Sequence, residues 1–122
     1  MTRGIRGATT VSVNEESEIL DSTKELVETM IEENQVQASE VSHVFISITK
    51  DLNATFPAKV LRGIDGWKYV PVMCMAEIDV PNSLQKCIRI MMVTNTSKSQ
   101  EEVNHIFLNE AVRLRPDLIK GE

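Results

Sequence analysis

The chain has 122 residues, 42% of them hydrophobic and 25% charged, with a formal net charge of −5 at pH 7. That length suits one domain with a modest core, and the acidic balance argues against broad nucleic-acid binding, which needs a basic face. Aromatic residues are few (three Phe, one Tyr, one Trp), so the core must be built from Val, Ile, Leu and Met, and no apolar run approaches the ~18 residues of a membrane span.

The N-terminal MTRGIRGATT carries no apolar signal-peptide segment, so the chain reads as cytoplasmic, with Cys74 and Cys87 as thiols rather than a disulfide. Thr2 to Ser12 reads as a first strand, with Ile5, Thr9 and Val11 among small residues. Asn14 is a candidate N-cap for EESEILDSTKELVETMIEEN, where Ile19, Leu20, Thr23, Leu26, Val27, Met30 and Ile31 fall at helical spacing. Its acidic outer face is a solvated surface. Ser39 is expected to cap a short turn before VFISIT (44–49), whose β-branched content predicts a second strand.

In NATFPAKVLRGIDGW, Pro57 is placed to open a short helix that Gly63 and Gly66 end, with Lys59 and Arg62 on one face. Tyr69 to Ile78 reads as a third strand, Pro71 marking an edge, an end or a bulge. Pro81, Asn82 and Ser83 make a loop, and Cys87 to Thr94 a fourth strand. Ser99 and Glu102 form a capping box for a last helix through Val103, His105, Ile106 and Phe107. Ala111 to Arg115 reads as a final strand stopped by Pro116, with Arg113 and Arg115 on one side of it. The order β-α-β-α-β-β-α-β predicts an α+β domain over residues 1–122: a mixed β-sheet with helices packed on one face, and Ile119–Glu122 as a tail.

The chain contains no GxxxxGK[ST], GxGxxG, CxxC or HExxH motif, and neither a cofactor nor a metal is expected. His43 and His105 lie in no nucleophile motif and read as structural or exposed. The positive signal is arginine placement. Arg3, Arg6, Arg62, Arg89, Arg113 and Arg115 lie near predicted strands or short helices, and none belongs to a basic run. Arg89 interrupts the apolar strand KCIRIMMV, where a guanidinium is expensive to bury alone. Glu77 closes another apolar run, VPVMCMAEI. Either the two neutralise each other across a sheet, or they line a pocket for a small polyanion, with the carboxylate meeting a hydroxyl.

The stretches RGIRGATTV, FPAK, YVPVMC followed by MAEIDV, KCIRIMM and AVRLRPDL, in that order and spacing, resemble the small barrel-type chorismate mutases of bacteria from Arg3 to Leu118. The resemblance implies a homotrimeric pseudo α/β-barrel with an active site in each cleft between subunits. It implies an isomerase that converts chorismate to prephenate, on the path to phenylalanine and tyrosine, with no cofactor, nucleic acid or membrane involved. Carried over by residue, it places Arg89 at the substrate's ether oxygen and beside a carboxylate, and Arg6 on a carboxylate. Glu77 accepts from the ring hydroxyl, with Cys74 near the same group, and backbone from Met73 through Met75 to Ala76 lines the pocket. Phe56, Ala58, Lys59 and the Met73–Cys74 edge come from the neighbouring subunit. Leu114 and Arg115 close the mouth, and Arg62 adds positive potential. Cys87 is core packing.

Two positions depart from the family pattern. Phe107 stands where a tyrosine is usual, so its ring replaces a phenol that would donate to a substrate carboxylate. Met73 stands where a threonine is usual. Two other readings remain open at this point: an imine or enamine deaminase of the related trimeric fold, and a non-catalytic anion-binding regulatory trimer.

Overall fold

Strand β1 (Thr2–Thr10) pairs antiparallel along its whole length with β4 (Cys87–Asn95), in the computed structural model, which describes residues 1–118. On its other side β4 pairs antiparallel with β2 (Val41–Ile48). A short β3 (Val72–Ala76) runs parallel to β2 at one edge, and the two-residue β5 (Ile106–Phe107) runs parallel to β1 at the other. The order is β3-β2-β4-β1-β5, a mixed sheet with β4 at its centre.

Helix α1 (Glu16–Asn34) follows from the apolar spacing read in the sequence: Ile19, Leu26, Val27 and Met30 are fully buried. They pack on Ile5, Val44, Ile46, Ile88, Ile90 and Met92 from one face of the sheet. A single-turn helix α2 (Lys59–Arg62) adds Leu61 to the same core, with Trp67 just beyond it. Helices therefore cover one face, as expected, and the opposite face is bare: Phe45 is 40% exposed there and Met75 41%.

Several local expectations are corrected. Glu15, not Asn14, is the N-cap of α1, and it makes no side-chain cap bond. The Asn14 carboxamide instead accepts from the N–H groups of Asn53 and Ala54 at 3.0 and 3.1 Å, tying down a loop. The acids Glu16 and Glu18 in the first turn serve the helix dipole instead. Ser39 lies inside a 3₁₀ turn, Ala38–Glu40, rather than capping one, and β2 starts at Val41. Pro57 precedes α2 by two residues and accepts from Val60 N–H, with Ala58 as N-cap and Gly63 as C-cap. Pro71 lies just before β3, which is an edge strand.

The larger corrections lie after β4. Ser99 and Glu102 do exchange the two capping-box bonds, at 2.8 and 3.3 Å, but they close an isolated turn and no helix follows. Asn34 at the end of α1 clamps Asn104 through reciprocal bonds of 2.8 Å each. That clamp lays Ile106 and Phe107 against the free edge of β1, opposite Gly7 and Ala8. Ala111 to Arg115 is not a strand either. Asn109 adopts a left-handed backbone (φ 55°), and the chain continues as 3₁₀ turns at Asn109–Arg113 and Pro116–Leu118. Arg113 and Arg115 share no strand face, and each pairs locally, with Glu110 and Asp117. The expected tail, 119–122, lies outside the described residues.

Two predictions follow from this packing. A Cβ at Gly7 would collide with Met30 Sδ and lie 3.2 Å from Leu26 Cδ1, since α1 crosses β1 at that point. Gly7→Ala should lower stability by ~1–3 kcal/mol, the usual cost of overpacking. An unchanged urea midpoint would mean that α1 shifts freely. At Cys87, burial pushes the thiol up from its ordinary value of 9.0, with the Arg89 guanidinium pulling partly back. The folded chain thus keeps a proton that the unfolded chain releases, so stability is full below about pH 8.5 and declines as pH rises through the folded thiol's range. Cys87→Ala should flatten that alkaline decline in urea midpoints measured from pH 7 to 10, and an identical slope would refute it.

Candidate active site

The pleat of β4 sends Ile88, Ile90 and Met92 into the core and Arg89 and Met91 to the bare face. Register then selects their neighbours. Arg89 stands opposite Ala8 on β1 and Ser47 on β2, and Met91 stands opposite Arg6 and Phe45. On β3, Met75 pairs with Ser47. Glu77 prolongs that strand by one bond, its N–H donating to Ile48 O at 2.9 Å. Phe107 on β5 lies beside Ala8. These side chains enclose a cavity of about 370 Å³ whose walls are apolar (Phe45, Met75, Met91, Phe107, Leu114) and whose polar groups are Arg6, Arg89, Arg115, Glu77 and Ser47.

The fold pairs Arg89 with Glu77 and sets both on one cavity. The Arg89 Nε lies 3.3 Å from Glu77 Oε2. The Arg89 side chain is half exposed and that of Glu77 only 27% exposed, so the pair is polarising but not drowned in solvent. Glu77 is further held by the Ser47 hydroxyl, which donates to Oε2 at 3.3 Å, and by Ile78 N–H, which donates to Oε1 at 3.0 Å.

Arg6 is braced by His105, whose Nδ1 accepts from Arg6 N–H at 2.9 Å and whose Nε2 lies 3.1 Å from Arg6 Nη1. His105 is thus engaged with an arginine, just before β5 rather than in the expected helix. Arg115 at the cavity mouth forms a two-pronged pair with Asp117, at 3.0 and 2.9 Å. That contact raises the arginine's pKa and lowers the carboxyl's.

Of the residues expected at a site, the fold brings together Arg6, Met75, Glu77, Arg89, Phe107, Leu114 and Arg115. Seven others lie apart from this cavity. Cys74 alternates with Met73 and Met75 along β3 and is packed against the helix-covered core, so its thiol is on the opposite face. Met73 is 61% exposed on the edge strand, next to Phe45, and Ala76 ends that strand. Phe56 is exposed in the loop before α2, and Ala58, Lys59 and Arg62 belong to α2 or its cap. Lys59 pairs with Glu16 at 3.0 Å. Cys87 is buried, as expected.

Sequence reasoning missed Gly7, Ala8, Phe45, Ser47, Ile90 and Met91. Met91 and Ala8 were within reach, each lying two residues from an expected arginine on its own strand. Phe45 and Ser47 alternate with buried Ile46, but only the β2–β4 register brings them beside Arg89.

Chemically, the cavity offers the guanidiniums of Arg6, Arg89 and Arg115 and one oriented carboxylate between apolar walls. It suits a small anion that also carries a hydroxyl. Among the described residues, no group of three or more His, Cys, Asp or Glu is placed to hold a metal, and no helix is long and apolar enough to cross a membrane.

Comparison with known proteins points to one family. The family model described as chorismate mutase type I matches residues 2–118. The chain is 52% identical over 118 residues to chorismate mutase AroH of Bacillus subtilis (strain 168), covering 97% of this chain and 93% of the relative. It is 44% identical over 119 residues to chorismate mutase AroH of Thermus thermophilus, covering 97% of each. Among solved structures, a chorismate mutase from Clostridium thermocellum superimposes with a TM-score of 0.86 at 46% identity, over 89% of this chain and 96% of the other. With a family model across nearly its whole length and two relatives far above chance identity, this chain belongs to the chorismate mutase type I family.

Proposed function

We propose that the chain isomerises chorismate to prephenate and that the cavity around Arg89 is where it does so. The observation that carries this reading is the convergence of Arg6, Arg89 and Glu77 on one apolar-walled cavity. Chorismate has two carboxylates, an enolpyruvyl ether and a ring hydroxyl. Its Claisen rearrangement breaks a C–O bond while forming a C–C bond within one molecule, so no nucleophile or proton transfer is required. Catalysis then consists of holding the compact conformer and stabilising negative charge that develops on the ether oxygen.

Arg89 is assigned to that oxygen and Arg6 to a carboxylate. Glu77 accepts from the ring hydroxyl, and Leu114 and Arg115 border the mouth. Arg115 would exchange Asp117 for substrate or add its field from a distance. Phe107, without a hydroxyl, contributes apolar wall where a tyrosine would donate a bond. A water can take over that bond.

The working unit in this proposal is a homotrimer acting in the cytoplasm. Three features support the assembly: the bare apolar face of the sheet, the outer edge of β3, and the absence of Phe56, Ala58, Lys59, Met73 and Cys74 from the lining of the chain's own cavity. These five would complete a cleft from the neighbouring copy, and Arg62 would add positive potential near its mouth. Cys74 then contributes through backbone, or reaches the ring hydroxyl only across that interface.

Purified protein given chorismate should consume its absorbance and form prephenate. Ammonia release from an imine substrate, with chorismate untouched, would instead select the deaminase reading. Arg89→Ala should lower kcat by at least the ~10²–10³-fold seen when one electrostatic donor is lost, with a smaller effect on KM. Arg89→Lys should recover little, because an ammonium lacks the planar fork. Citrulline at position 89 keeps the shape and removes the charge, and a folded citrulline protein with normal kcat would overturn the assignment.

For the assembly, light scattering should give three times the chain mass. Mixing inactive Arg89→Ala chains with inactive Lys59→Ala chains should restore some activity, through clefts that carry neither lesion. No recovery despite demonstrated subunit exchange would exclude a shared cleft.

A further inference from the structure

An ionised carboxylate offers about four acceptor positions, two on each oxygen. At Glu77 two are taken by hydrogen bonds from within the chain, and a guanidinium edge faces a third as an ion pair. Oε2 receives the Ser47 hydroxyl and lies against Arg89 Nε, both at 3.3 Å. Oε1 receives Ile78 N–H at 3.0 Å. Among the described residues nothing takes the fourth, which belongs to Oε1. A carboxylate held this way cannot rotate without losing both hydrogen bonds and the ion pair, and it presents a single uncovered position to a donor in the cavity.

Ser47 is the member of this set without a structural reason to be polar. Its backbone is already in the ladder between β2 and β4, opposite Arg89. The next outward-facing residue of β2, Phe45, is apolar. The hydroxyl is therefore not needed to build the sheet, and its partner is the carboxylate beside Arg89.

We propose that Ser47 is a positioning residue: by filling one acceptor position on Glu77 Oε2 it leaves a single acceptor for the substrate's hydroxyl and keeps the carboxylate against the Nε edge of Arg89. Without it, Oε2 gains an open position that water or a misplaced substrate hydroxyl can take, and the Glu77–Arg89 pair loses its fixed geometry. The proposal rests on the chorismate mutase reading and extends it to a residue that never touches the breaking bond.

The test is a double-mutant cycle in the full-length protein with chorismate as substrate, using Ser47→Ala, Ser47→Thr, Glu77→Gln and the Ser47→Ala/Glu77→Gln pair. Loss of one hydrogen bond to a charged group is worth roughly tenfold, so Ser47→Ala should lower kcat/KM about tenfold, chiefly in kcat. Ser47→Thr, which keeps the hydroxyl, should regain most of that loss. In the Glu77→Gln background Ser47→Ala should change little, because the residue acts through the carboxylate.

Thermal melts of each variant separate folding from chemistry. Should Ser47→Ala fail to fold, Ser47→Cys, nearly the same size and a weak donor, takes its place with the same expected loss. A folded Ser47→Ala or Ser47→Cys protein with parental kcat would overturn the proposal. So would a failure of Ser47→Thr to recover activity, or a full tenfold loss in the Glu77→Gln background. A parent that leaves chorismate unchanged would instead overturn the functional reading and this proposal with it, whereas an active parent indifferent to Ser47 overturns the proposal alone.

Discussion

A guanidinium on the central strand of a sheet has to be kept oriented without being neutralised out of use, and in this chain Glu77 meets that constraint for Arg89. The contact runs through Nε at 3.3 Å, from a carboxylate that is itself held by Ser47 and by backbone N–H of Ile78. An arginine left alone on an apolar strand would swing to solvent. One buried against a carboxylate with no cavity would be a structural ion pair of little net worth. The half-exposed geometry seen here lies between the two, and it is the one a cavity for a small anion requires.

The rest of the molecule sets up that contact. Nine-residue pairing between β1 and β4 fixes Arg6 and Arg89 on the same side, one pleat apart in register. α1 and its buried Ile19, Leu26, Val27 and Met30 fill the other side. At Gly7 the Met30 and Leu26 side chains of α1 lie against β1 where a Cβ would otherwise stand. At the far end of the same helix, Asn34 grips Asn104 and lays β5 along β1. That brings Phe107 to the cavity wall and His105 to Arg6. Core packing and site geometry are thus joined through the same two elements.

Family membership and the cavity also explain what the chain lacks. A pericyclic rearrangement asks for charge and shape, and the titratable groups around this cavity serve as fixed partners of arginines: Glu77 to Arg89, Asp117 to Arg115, His105 to Arg6. The bare apolar face with Phe45, Met73, Met75 and Met91 is the counterpart of a core built with few aromatics. It leaves hydrophobic surface exposed on the single chain.

Sequence alone determined the parts of this protein governed by periodicity. The 3.6-residue spacing from Ile19 to Met30 gave α1, and the alternation through Ile88, Arg89 and Ile90 gave β4 and singled out its arginine. Ordered motifs from Arg3 to Leu118 pointed to the family. Sequence did not determine the region after Asn95, because short segments there carry competing signals. Ser99 and Glu102 make a genuine capping box, yet whether a helix follows depended on Asn34, 70 residues away, reaching Asn104. Arg113 and Arg115 alternate like strand residues, but a left-handed Asn109 turned the chain first. Ser47 and Phe45 were illegible as site residues for the same reason: a side chain's face follows from its own strand, whereas its neighbours follow from register, and register is decided only when the strands pair.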